Sequence, residues 1–427
     1  MKRVKIKFYK NKFFFINIII GLVIAFACHF IENTRFGIKN LDYIFDLFIL
    51  NESVKFQTNV NPEDIQQNIS KDIVFIDLKY ADYRKWDFPY ITPRDVLADI
   101  ISIADSAGAK IIIPDFFFDY KDYRSPANDD SLKHVLTRIA NENKTKIILP
   151  AIIGMDRHLK SNIFDDLLDK YDNIYSALPN VVASGHDDII RYTDDYDFFI
   201  KSSDNKNIQY SKIFSIPFAI SKILNGVNIK KNIVNINSSD FFSEIEEKQQ
   251  AENFLYNKRI RFFMVPGNET DSTVRTGNIP VEQYFRYDNI IPQCLKNKIV
   301  VVGSSNPESS DNHVTPIGKI PGVYVLGNAI NTELLQLYPK EVTLFTKYLI
   351  EILVIIIASY LFLIFHELVA RVLTSIILLI LLGGIDYYIF YTHGIFINFI
   401  LPVLGIGFHR IISSFEILLL FGIKRDH

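Results

Sequence analysis

Three carboxylates stand where apolar runs give out. Asp77 closes Asp72-Ile73-Val74-Phe75-Ile76-Asp77 and Asp115 closes Lys110-Ile111-Ile112-Ile113-Pro114-Asp115. Asp311 lies in the polar stretch after Lys298-Ile299-Val300-Val301-Val302-Gly303. Such runs read as strands buried on both faces, as in a parallel sheet. Open α/β sheets bind ligands beyond the carboxyl ends of their strands. Neighbouring strands would put the acids on one rim, with Thr315 just behind Asp311. Clustered carboxylates suit a divalent cation, which takes oxygen ligands, or a cationic or hydroxylated ligand. The plainer reading has each acid capping a loop or pairing with Arg94 or Arg191. Arg94, in the first turn of a helix, can hold an anion together with the helix N-terminus; an ion pair with Asp77 or Asp115 is the simpler alternative. The expected ligand site is therefore Asp77, Arg94, Asp115, Arg191, Asp311 and Thr315. The metal question stays open and no cofactor is named.

Catalytic signatures do not emerge. Gly303-Ser304-Ser305 follows a strand but lacks the spacing of a phosphate-binding loop. A Gly-x-Ser-x-Gly elbow is missing, and His134, His158, His186 and His313 are scattered singly without metal-site spacing. The expectation is a protein that is not an enzyme. A tethered hydrolase would have to use Ser304 or Ser305.

The elements that must position these residues follow an α/β pattern. The first unit runs from the strand that ends in Asp77 to a helix opened by Thr92-Pro93-Arg94-Asp95, with Thr92 at the N-cap. Leu97, Ile100, Ile101 and Ala104 follow at helical spacing and Gly108 ends the helix. A strand at 110–115 completes a βαβ unit, which makes a parallel pair. Leu132, Val135, Leu136 and Ile139 mark a second helix, 146–153 a third strand and 181–185 a fourth. Residues 190–290 read as an insertion with antiparallel strands. After the strand at 298–303 comes a long polar loop, Ser304 to Pro321, then a helix through Val325, Leu326, Ala329, Ile330 and Leu334.

Apolar segments flank this body at 13–31, 344–365, 372–391 and 396–421. A spanning helix needs roughly 20 apolar residues, so the expectation is one N-terminal and three C-terminal transmembrane helices. Lys2, Arg3, Lys5, Lys7, Lys10 and Lys12 put the N-terminus inside by the positive-inside rule. Parity then agrees with Arg371 and the Lys424-Arg425 tail inside. A cleaved signal ending near Ala25-Phe26-Ala27 is the rival for 13–31. Arg410, Glu416 and Asp386 read as charges near the membrane faces.

Composition sets outer limits. The 427 residues are 49% hydrophobic with a formal net charge of −2, and no basic face suggests nucleic acid. Two cysteines, Cys28 and Cys294, leave no disulfide framework.

Several stretches together resemble the second type of the cyclase/histidine-kinase-associated sensory extracellular (CHASE2) domain. Asp72 to Asp77 is similar to its opening strand, and Trp86-Asp87-Phe88-Pro89 with Pro93-Arg94 to its Trp-Pro…Pro-Arg segment. Ala107-Gly108-Ala109-Lys110-Ile111 and Asp115-Phe116 resemble its next element. Gly185 and Arg191 look like its Gly…Arg stretch, with Asp188-Ile189 in place of the usual Asp-Gly. Lys298 to Gly303, Asp311, Thr315-Pro316, Pro321-Gly322-Val323 and Asn328-Ala329 resemble its closing block, the most specific part. The likeness covers about residues 40–340. It implies a bacterial extracytoplasmic sensor of unknown ligand, of the kind that feeds cytoplasmic signalling enzymes.

The combined expectation is an α/β domain with a mainly parallel central sheet flanked by helices. It occupies 32–342, between a basic N-terminus at 1–12 with a helix at 13–31 and three helices in 343–421 with a tail at 422–427. It sits outside the inner membrane with both termini cytoplasmic. It binds a small molecule or ion and signals through a separate cytoplasmic or membrane partner, since no output module follows; a homodimer stays open. The rival is a membrane anchor that recruits a signalling enzyme and needs no ligand.

Overall fold

The computed structural model describes residues 66–179, 181–183, 188–204, 207–227, 233–236, 259–264, 279–308 and 311–365, with parts of 14–30 and 369–396. The chain divides into one compact unit at Val54–Tyr338 and a second made of Met1–Ser53 and Pro339–His427.

Within Val54–Tyr338, β1 (Ile73–Leu78) is followed by α1 (Tyr80–Lys85), α2 (Arg94–Ser106) and β2 (Ile111–Pro114). Then come α3 (Pro126–Glu142), β3 (Lys146–Pro150), α4 (Asp165–Lys170) and β4 (Ile174–Ala177). Next are β5 (Val181–Ala183), β6 (Ile190–Thr193), β7 (Tyr196–Asp204), β8 (Asn207–Phe214), α5 (Ile216–Leu224), β9 (Ile233–Ile236) and β10 (Tyr284–Arg286). The unit closes with β11 (Ile299–Ser304), β12 (Asn312–Thr315), β13 (Gly318–Pro321) and α6 (Gly322–Leu334).

Six strands form one sheet in the order β10-β1-β11-β2-β3-β4, and every neighbouring pair is parallel. The apolar runs explain this: all six residues of β1 are buried, because a parallel sheet has helices on both faces. Alternate residues divide the core. Val74, Ile76, Ile112, Val300 and Val302 join Leu97, Ile101, Leu132, Leu136 and Ile139 of α2 and α3. On the other face Phe75 meets Tyr324 of α6, with ring centroids 5.6 Å apart. A Cβ on Gly327 would run into the Phe75 ring, so only glycine lets α6 close on β1 here.

Helix α6 is buried along nearly its whole length, so its polar side chains must be satisfied internally. Asn328 Oδ1 accepts from the backbone N–H of Phe263 and Met264 at 2.8 Å each, and its Nδ2 donates to Met264 O at 2.9 Å. Asn331 Oδ1 accepts from Ser70 N at 2.7 Å. Asn328 thus does for α6 and the 259–264 segment what a strand ladder would do, while Asn331 ties α6 to the residues just before β1.

The structure corrects several sequence expectations. Pro93, not Thr92, precedes α2, with no side-chain cap; the Thr92 hydroxyl instead bonds the Tyr83 hydroxyl at 2.7 Å. The fourth sheet strand is Ile174–Ala177, at the sheet edge, with Ser176 half-buried on the cleft. The expected strand near 181 pairs antiparallel with β6 in a separate ribbon. The 190–290 region does hold an antiparallel sheet, β7-β8-β9, but it also supplies β10, the parallel edge beside β1. The polar loop before α6 contains the β12–β13 hairpin.

The transmembrane part of the expected fold is also corrected. Among the described residues no helix is long and apolar enough to cross a membrane. Helix α7 (Leu344–Ile364) buries Lys347 and Glu351. Beyond Glu351 only Ile352–Ile364 remains, about 20 Å at 1.5 Å per residue, against a hydrocarbon core of roughly 30 Å. The 372–391 segment is interrupted by a π-helical stretch, Ile380–Ile385, before α8 (Asp386–His393). A short β14 (Lys340–Glu341) pairs with β15 (Ile395–Phe396) in the same unit. Hydropathy alone reads these as unbroken helices. The 13–31 segment is described only in pieces, and of 396–421 only Phe396 is described.

Candidate functional site at the carboxyl rim of the sheet

Register places Asp77 opposite Gly303, and the Asp115 N–H continues the ladder by donating to Val302 O at 2.7 Å. Asp77, Gly303 and Asp115 thus form one row across β1, β11 and the end of β2, the two acids about 10 Å apart at the usual strand spacing. Asp311 comes to the same rim from the loop beyond β11. The three acids do share an edge, but their surroundings differ.

Asp77 is buried and saturated. Its Oδ2 accepts from the Tyr284 hydroxyl at 2.6 Å, the Ser305 hydroxyl at 2.7 Å and the Tyr324 hydroxyl at 3.0 Å; its Oδ1 accepts from Ser305 N at 2.9 Å. Burial raises its pKa, opposed by those hydrogen bonds and by Lys79. Burial, then the Asp77 charge, pushes the Tyr284 and Tyr324 phenols well up, so both stay protonated as donors. The carboxyl ties β1, β10, the end of β11 and α6 together. Beside it, buried Asp82 accepts from Lys79 N at 2.9 Å and faces Lys85 and Arg286 at 3.4 Å each, fastening α1 to β10.

Asp115 is different. Among the described residues no hydrogen bond reaches its carboxyl, and burial, with the neighbouring Asp311 charge, lifts it to about 7 against the pull of His313. His313 Nε2 lies 2.9 Å from Asp311 Oδ1. Close approach here depends on two glycines. A side chain at Gly303 would strike Val323, and one at Gly322 would strike the Asp311 carboxylate. Asp311 therefore sits directly on the first turn of α6, held also by the bond from Gly322 N to its backbone oxygen at 2.8 Å. Among the described residues no three His, Cys, Asp or Glu side chains come together in a group fit to hold a metal ion.

The other expected site residues lie apart. Arg94 is buried with its Nη2 donating to Phe117 O at 3.0 Å, its guanidinium 4.5 Å from the Phe118 ring centroid and its Nε 3.8 Å from Asp129 Oδ1. Its partner is thus Asp129 of α3, rather than Asp77 or Asp115. Burial lowers its pKa, opposed by Asp129, Asp122 and Asp119. Thr315 is buried in the β12–β13 turn and its hydroxyl donates to Gly318 O at 2.7 Å, so it shapes the hairpin. Arg191 lies on β6, in the separate ribbon, and its side chain is outside the described residues.

Sequence reasoning missed an open cleft of about 280 Å³ farther along the rim. Phe117, Phe118 and Asp119 from the loop after β2 form one wall. Pro150, Ala151 and Ile152 at the end of β3 and Ser176 of β4 form the floor. Leu159 to Asn162 and Asp165, Leu168 and Asp169 of α4 complete it. No motif announces it; the only signal is that three parallel strands end there.

The CHASE2 domain family matches the chain over residues 20–364. Among curated proteins and among solved structures nothing matches. CHASE2 domains are sensory, and the match supports a sensory, ligand-binding role.

Proposed function

Because this chain belongs to the CHASE2 domain family, we propose that Val54–Tyr338 is a sensor that takes its ligand in the cleft at the carboxyl ends of β2, β3 and β4. The observation that carries this reading is the cleft's place: concave, largely apolar, and beyond the ends of parallel strands, where α/β sheets bind ligands. The loop after β2 gives a physical route from ligand to response. It starts at Asp115, beside Asp311 and the first turn of α6, and its Phe117–Asp119 end is a wall of the cleft. Arg94 grips the loop at that wall, through Phe117 O and the Phe118 ring. A ligand that favours one position of the wall shifts the loop only by its differential affinity for the two positions. Helix α6 is the last helix before the unit ends at Tyr338.

The domain acts as a receptor without chemistry of its own and passes its signal to a separate signalling protein. Its place is outside the cytosol of a bacterial cell, as the family's extracytoplasmic setting supports. The test is a thermal-shift screen of the purified full chain against divalent metals, small anions and small organic cations. At least one compound should raise Tm, and Ser161→Trp, which crowds the cleft mouth, should cancel the shift. If no compound shifts Tm, or the shift survives Ser161→Trp, the ligand reading fails and a recruiting anchor that needs no ligand takes its place.

A further inference from the structure

Resting on the reading that the cleft is the sensing site, we propose that its ligand is a small organic ammonium ion: an apolar body of a few carbons with one cationic head. Three carboxylates, Asp119, Asp165 and Asp169, line the cleft against one cation, Lys160. Lys160 Nζ is 3.8 Å from Asp119 Oδ2, so that charge is partly answered inside the wall. Lys133 is held at 2.8 Å by Asp166, on the exposed surface. Among the described residues no basic side chain forms an ion pair with Asp165. Its Oδ2 accepts instead from the Asn162 backbone N–H at 3.0 Å.

Asp165 is thus a carboxylate facing like charges. Partial burial first, then Asp169 and Asp166, raise its pKa, against the Asn162 N–H. An ammonium at the mouth relieves that repulsion and gains a charge-assisted hydrogen bond. An anion would meet the excess of carboxylates instead.

The rest of the lining sets the body of the ligand. Phe117, Phe118, Ile152, Leu159, Leu168 and Ile174 offer apolar surface behind the acids. At ~30 Å³ for each water-sized group, the 280 Å³ cleft takes roughly nine such groups. This is the scale of a short alkyl or arylalkyl amine. The Phe118 ring already carries the Arg94 guanidinium on one side, so the head is placed by the carboxylates, while the aromatic wall packs against the body.

Isothermal titration on the purified full chain at low ionic strength tests this with three probes of nearly equal size. They are 2-phenylethylammonium, the neutral 2-phenylethanol and the anion phenylacetate. The ammonium should bind at least tenfold more tightly than the alcohol, and phenylacetate more weakly still. Asp165→Asn keeps an acceptor for Asn162 N–H and should weaken the ammonium at least tenfold while leaving the alcohol unchanged. Lys160→Ala should bind the ammonium at least as tightly as the natural chain.

Equal binding of ammonium and alcohol, or an Asp165→Asn variant with unchanged ammonium affinity and unchanged Tm, overturns the ammonium assignment. So does a failure of the ammonium to bind. Binding of the alcohol or anion that Ser161→Trp blocks would leave the cleft as the sensing site and remove only the ligand class. Binding that Ser161→Trp leaves intact would remove the cleft as well.

Discussion

The two halves of one rim use the same residue type in opposite ways. Around β10, β1 and β11, the Asp77 carboxyl receives four hydrogen bonds from Tyr284, Tyr324 and Ser305. Around β2, β3 and β4, Asp115 has no such bond among the described residues and Asp165 has one, from a backbone N–H. A carboxylate surrounded by donors on separate elements is a fastener, because those donors already occupy it. A carboxylate crowded by like charges, as Asp165 is by Asp166 and Asp169 of its own helix, is held at an electrostatic cost that a cation would relieve. Strand ends alone do not tell the two apart; the partners do.

The comparison can be broken at its strongest point first. Asp77→Ala leaves several buried donors without an acceptor, each worth about 1–3 kcal/mol, so urea denaturation should show a loss of at least ~3 kcal/mol. A loss under ~1 kcal/mol would mean that the cage is not a fastener. Next, Arg94→Ala removes a buried cation and strands Asp129; breaking such a pair costs about 3–5 kcal/mol. We expect a loss near ~3 kcal/mol by the same assay. Weakened binding of any cleft ligand should accompany it, since Arg94 grips Phe117 and Phe118. A stable variant with unchanged binding would separate Arg94 from the cleft.

Asp115 sharpens the comparison through pH. Its carboxyl is raised from 3.8 to about 7 in the fold, so the folded state holds a proton that the unfolded chain releases. Stability from this group is intact below about pH 4 and is lost as pH rises toward about 7. His313 and Asp311 are the charged neighbours that modulate it. The Tm of Asp115→Asn minus that of the natural chain should therefore grow between pH 4 and pH 7 and stay level above. A difference that does not change with pH would show that Asp115 is as solvated as an ordinary surface acid. The smallest effect is expected at Lys133→Ala, which cuts an exposed ion pair with Asp166. Exposed pairs are worth about 0–1 kcal/mol, and a loss above ~1.5 kcal/mol would show that α3 and α4 are coupled more tightly than their contact suggests.

Much of the sheet was legible in advance for a simple reason. Ile73 to Ile76, Ile111 to Pro114 and Ile299 to Val302 are continuous apolar runs, as strands covered on both faces use. The row of acids followed from strands ending together. Other parts depend on contacts that local pattern does not carry. Strand β10 is only Tyr284-Phe285-Arg286, and its role comes from a hydroxyl reaching Asp77 across 207 positions. The partner of Arg94 is on α3, and nothing near Arg94 in sequence selects Asp129 over Asp77. Strand β4 was hidden because an edge strand does not need a fully apolar run. The transmembrane reading failed where hydropathy counted residues without the interruptions at Lys347, Glu351 and the π-helical stretch.

The most direct measurement is hydrogen–deuterium exchange on the full chain, with and without whichever screened compound raises Tm most. The account predicts slowed exchange at 117–119, 150–152 and 159–169 and no change at 284–286. Slowing at 284–286 with none around the cleft would contradict it.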